Sequence, residues 1–172
     1  MDHIGKGRRA HSNSKEESSS FRPIILKLQI SDLVPHEGIL DWHLEEISVW
    51  MARDGYQARA IAVSSLESVG PNWRGKFMIH DGHHRTSALK FLGCSSIMCS
   101  VFDYEDPSIK VFDYDTASIP ISKELVIARA LSGVNITPRF DKHFIELGGK
   151  LAPFHDNSMI EPLVKTSLSE LR

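Results

Sequence analysis

Residues 77–93 read FMIHDGHHRTSALKFLG, and this run constrains the chain more than any other. An apolar stretch of strand character meets an Asp-Gly pair, and helical periodicity over residues 86–92 ends on Gly93, so strand, tight turn and helix must follow at once. His83, His84 and Arg85 then fall in the first turn of that helix. A helix N-terminus presents unpaired N–H groups and the positive end of the macrodipole, and both attract anions. Stacking basic side chains at that end disfavours the helix start unless an anion is bound. Gly82 lets a phosphate approach the backbone, Arg85 offers a planar fork of donors, and Thr86 adds a hydroxyl. Asp81, ending the strand, suits Mg²⁺ or a hydroxyl group. A plain strand-to-helix turn with solvated histidines is the competing reading of the same residues.

Around this run the pattern predicts a small α+β domain with a mixed sheet flanked by helices. Strands are expected over residues 23–30, 59–64, 76–80, 97–104 and 109–114, and helices over 39–54, closed by Gly55, and 122–131, capped by Ser122 and closed by Gly133. Residues 66–75 read as a loop. Residues 1–22 are polar, Ser-rich and nearly free of aliphatic side chains, which predicts a disordered arm. Residues 23–146 are expected to form the domain, and 147–172, with sparse periodicity, a C-terminal extension holding a short helix near 162–171.

With 20 Lys plus Arg against 22 Asp plus Glu and a pI near 6.5, the charge balance argues against an electrostatic grip on nucleic acid. No apolar run approaches the ~20 residues a bilayer span requires, and the N-terminus lacks the apolar core of a secretory signal. Cys94 and Cys99 cannot build a disulfide framework, so a reducing, cytoplasmic setting is expected.

The Gly82-His83-His84-Arg85 run after a strand and an Asp resembles the nucleotide-binding signature of the ParB/sulfiredoxin-like superfamily. Two further segments are similar to the free L-serine kinases of that superfamily: Leu33-Val-Pro-His-Glu-Gly38, and Ser132-Gly133 followed by Thr137-Pro-Arg-Phe-Asp-Lys-His143. The last departs from the family pattern at Arg139-Phe140-Asp141-Lys142, where a Lys and two small hydroxyl residues would precede the basic residue. That departure bears on the substrate more than on the reaction.

The resemblance implies phosphoryl transfer from ATP or ADP, with Mg²⁺, to the hydroxyl of free L-serine. It gives Glu37 the proton-accepting role and Asp81 a metal-linked or hydroxyl-orienting one. Gly82, His83, His84, Arg85 and Thr86 would hold the nucleotide phosphates. His36, Tyr114, Thr116, Arg139, Lys142 and His143 would line the substrate side, the last three being read as one basic cluster. Read without the resemblance, Glu37 is an ordinary carboxylate at a helix start, and Tyr114 a sheet aromatic. A rival expectation is a ParB-like nucleotide-binding regulatory or DNA-associated module without small-molecule turnover. The sulfiredoxin reaction is set aside because His83 stands where its nucleophilic Cys would be.

Overall fold

The computed structural model describes residues 21–134, 137–155 and 157–172. The expected arm over residues 1–22 lies almost wholly outside them. Phe21 is within them and is buried in the core, its ring 5.6 Å from that of Phe102.

The central sheet has five strands: β1 (Ile24–Gln29), β2 (Leu33–Val34), β4 (Ile61–Ser65), β5 (Phe77–Asp81) and β6 (Ser96–Phe102). Their order is β1-β6-β4-β5-β2. Neighbours alternate between antiparallel and parallel pairing, so the sheet is mixed, as expected. Between them lie helix α1 (Asp41–Asp54), strand β3 (Tyr56–Arg59) and helix α2 (His83–Phe91). Gly55 ends α1 in the left-handed conformation that glycine adopts without a Cβ penalty.

Side-chain alternation along β4 and β5 divides the core. Ile61, Val63 and Ile79 face one layer, with Ala88 and Leu89 of α2 and Met51 of α1. Ala62 and Met78 face the other, with Val126 and Ala130 of α3 (Lys123–Ser132). Helix α3 begins as its sequence predicts, with the Ser122 hydroxyl accepting from the Leu125 N–H. The second layer is completed by an antiparallel sheet of β7 (Ile109–Asp113), β8 (Asp141–Leu147) and β9 (Lys150–Pro153).

Residues 147–172, set apart above as an extension, supply part of this framework. β10 (Leu163–Ser167) pairs antiparallel with β3, and α4 (Leu168–Leu171) places Leu168 and Leu171 in the first core layer. Trp42 and Trp50 of α1 are both exposed. Among the described residues, no helix is long and apolar enough to cross a membrane.

Candidate active site

The turn after β5 is built around Gly82, whose φ of 101° is open to glycine and strained for other residues. A Cβ here would lie 2.4 Å from Cγ2 of Ile61, so β4 and α2 meet too closely for any side chain. The first intrahelical bond of α2 runs from the Thr86 N–H to the Gly82 carbonyl, 2.9 Å. The amides of His83 and His84 are therefore left for an acceptor outside the helix. The Thr86 hydroxyl also donates to the Gly82 carbonyl, 2.9 Å, and so helps hold the turn.

Facing this helix end is the loop between β2 and α1, which carries His36 and Glu37. One Glu37 carboxylate oxygen accepts the N–H groups of Phe140, 2.8 Å, and Asp141, 3.1 Å, at the start of β8. Burial pushes the Glu37 carboxyl up; the His36 charge and the Asp141 N–H oppose that rise. Glu37, Gly38, His83, Thr86, Ser87 and Lys90 help line a cleft of about 500 Å³, with Trp73 among its apolar lining residues. A carboxylate and the N-terminal turn of a helix thus open on one space.

His84, next to the cleft-lining His83, accepts the Leu40 N–H at Nε2, 2.9 Å, and its ring centre is 4.6 Å from that of His43 in an edge-on arrangement. Burial lowers its basicity, and the charges of His43 and Arg139 lower it further. Arg139 is therefore close enough to be felt at the tip of α2.

Asp81 and Arg85 sit at the opposite edge of the turn. One Asp81 oxygen accepts the Gly82 N–H, 2.7 Å; the other is buried without a hydrogen-bond donor and lies 3.7 Å from His155 Nδ1. Burial would raise the Asp81 carboxyl, but His155 and Arg85 outweigh it and hold it at about 2. Arg85 donates to the Ala60 carbonyl and to the carboxylate of Glu161, which is 1% exposed. Burial and Asp81 push Glu161 up to about 7 against the pull of Arg85. Sequence reasoning missed Glu161 altogether; a lone acid between Ile160 and Pro162 was the only local sign of it.

The expected cluster of Arg139, Lys142 and His143 is divided by strand alternation along β8. Lys142 faces outward and, with Arg139, lies over the Tyr114 ring, 4.8 and 5.5 Å from its centre. Thr116 is exposed and spends its hydroxyl on Asp113 in the turn after β7. Asp141 and His143 face inward. His36 and His143, expected on the substrate side, are 0% and 4% exposed and join His80, Asp141, Tyr104 and Ser64 in a buried polar network instead.

No protein-family model matches the chain. Over 109 residues it is 26% identical to an ATP-dependent L-serine kinase of Staphylothermus marinus, covering 63% of this chain and 41% of the relative. Over 84 residues it is 30% identical to the ATP-dependent L-serine kinase of Desulfurococcus mucosus, covering 49% and 31%. The chain thus matches less than half the length of either curated relative. Among solved structures, a glutamate-to-glutamine variant of a free serine kinase in complex with AMP superposes with a TM-score of 0.67 at 13% identity, covering 92% of this chain and 98% of that one. The chain therefore has the fold of the free serine kinases and is a sequence relative of the ATP-dependent L-serine kinases.

Proposed function

We propose that the chain transfers a phosphoryl group from ATP or ADP to the hydroxyl of free L-serine, giving O-phospho-L-serine. One observation carries this reading: the half-buried Glu37 carboxylate and the first turn of α2 line the same cleft. Phosphoryl transfer needs positioning and charge neutralisation more than covalent chemistry, and these groups are suited to both. The names of the relatives point to the same donor and acceptor.

In this account the His83 and His84 amides and the helix dipole receive phosphate oxygens. Glu37 accepts the serine hydroxyl proton as the new O–P bond forms and the bond to the bridging phosphate oxygen breaks, releasing the shortened nucleotide. Its anchoring by the Phe140 and Asp141 N–H groups fixes the direction from which it can accept. Arg139, whose charge is felt at the helix tip, and Lys142, which shares the Tyr114 ring with it, are exposed and would meet the amino-acid carboxylate or a distal phosphate.

The donor-free buried oxygen of Asp81 is the kind of hard ligand Mg²⁺ accepts, and the neighbouring Glu161 carboxylate adds acidity. Asp81 would hold the ion, which when bound neutralises charge on the donor phosphates. Arg85, fastened to Glu161, would shield the same phosphates. Incubating the purified chain with Mg²⁺, ATP or ADP and a panel of hydroxy-amino acids, with products read by mass spectrometry, tests the proposal. Phosphoserine is the expected product; none with either nucleotide refutes the serine kinase reading.

A further inference from the structure

The buried network behind Glu37 has a proton arrangement dictated by its own geometry. His36 is fully buried, and its Nδ1 lies 2.6 Å from the Ile79 carbonyl, which can only accept. Its Nε2 lies 3.2 Å from both oxygens of Asp141. Both ring nitrogens therefore face acceptors, and an imidazole satisfies two acceptors only by carrying two protons. His143 Nδ1 meets the same carboxylate at 3.2 Å, so the single lone pair of its Nε2 is left to be shared by the Tyr104 hydroxyl, 2.9 Å, and His80 Nδ1, 3.1 Å. His80 then donates through Nδ1 and accepts the Ser64 hydroxyl at Nε2, 2.7 Å. His83 Nε2 faces the His36 N–H at 3.4 Å and is an acceptor too. One carboxylate and one cation balance among four buried histidines.

We propose that His36 is a standing imidazolium clamped by Asp141, and that this pair is a positioning device that holds Glu37 at the cleft and favours its carboxylate over its acid form. The role given to Glu37 rests on the kinase reading above. Asp141 does two jobs at once: its carboxylate holds His36, while its N–H holds the Glu37 oxygen 3.1 Å away. The groups facing His36 are Asp141 and His143 from β8, His80 from β5, His83 from α2 and Glu37 in its own loop. Burial disfavours its charge, but Asp141 and Glu37 outweigh that, whereas burial drives His80, His83 and His143 the other way. Neither His36 nor Asp141 reaches solvent, so both act through Glu37 rather than on substrate. Asp141 also lies in the Arg139–Lys142 stretch where this chain departs from the serine kinase pattern.

Nitrogen NMR of the histidine-labelled full chain decides the protonation directly. One imidazolium persisting at pH 8, and lost in Asp141→Asn, is expected; only neutral buried imidazoles at pH 7 overturn the proposal. So does a transition metal retained in stoichiometric amount on elemental analysis, since the His36, Asp141 and His143 atoms would then be its ligands. In kinetics, Asp141→Asn lowers kcat while leaving the nucleotide KM within about twofold. It also moves the acidic limb of the rate profile upward, because losing the His36 charge, which lowers the Glu37 carboxyl, outweighs losing the Asp141 charge, which raises it. Asp141→Glu restores part of the rate. A variant that merely melts earlier, with its pH profile unmoved, overturns the positioning role. Absence of phosphoserine from the unmodified chain would instead refute the kinase reading and leave the NMR result standing.

Discussion

Replacing Gly82 by alanine should damage both the fold and the nucleotide end of the cleft, and the coordinates allow the cost to be worked out. The new Cβ would lie 2.4 Å from Ile61 Cγ2 and 2.8 Å from Ile61 Cβ. Ile61 is fully buried and branched at Cβ, so it cannot rotate away, and the backbone of the turn has to move. Overpacking of this kind costs about 1–3 kcal/mol. The positive φ adds about 1–3 kcal/mol for a residue with a side chain. A total near 4 kcal/mol is a large share of the ~5–15 kcal/mol that holds a domain together. For a chain of this size it corresponds to a melting point lowered by roughly 8–16 °C. Gly133→Ala is the internal control: its φ is 61°, but among the described residues nothing beyond its chain neighbours lies within 4 Å of the added Cβ, so only the backbone term applies. Scanning calorimetry of both variants separates the two contributions. The Gly82 Cβ would also press on the Arg85 guanidinium at 3.2 Å, so nucleotide affinity should fall with stability. Equal melting points for the two variants would refute the close β4–α2 approach.

Two other perturbations probe the C-terminal residues. Leu171 is fully buried in the α4–α2 layer, and Leu171→Ala should lose about 2–5 kcal/mol in urea unfolding, whereas a dangling extension would lose almost nothing. Glu161, raised from the ordinary 4.5 to about 7, binds its proton more tightly when folded. Its contribution is therefore fully present below about 4.5 and declines as pH rises through 7. Urea midpoints of Glu161→Gln should accordingly vary less between pH 5 and pH 8 than those of the unmodified chain, and an unchanged difference would count against the buried acid.

Where neighbours along the chain decided the outcome, the sequence was readable. Gly55 and Gly133 close α1 and α3 where expected, and Ser122 caps α3. The strand-turn-helix of residues 77–91 followed from apolar runs on either side of Asp-Gly. Illegible parts depend on distant partners. β10 finds β3 about a hundred positions earlier, and its half-exposed residues give no strong alternation. β8 hides an inward face that begins with Asp141 and His143 before Ile145, so apolar periodicity is weak there, and Arg139, Lys142 and His143 looked like one surface cluster. His80 lies in β5, but nothing nearby in sequence says that it meets His143, Tyr104 and Ser64. Glu161 acquires its meaning only from Arg85, seventy-six positions away.

The central claim is that Glu37 takes the proton of an alcohol in a cleft where the tip of α2 holds a polyphosphate. Glu37→Gln keeps an oxygen for the Phe140 and Asp141 N–H groups but cannot accept that proton. Phosphoserine formation by this variant, followed by ³¹P NMR beside a nucleotide titration, should fall about 10²–10⁴-fold with nucleotide binding intact. Turnover within a few-fold of the unmodified chain would contradict the account.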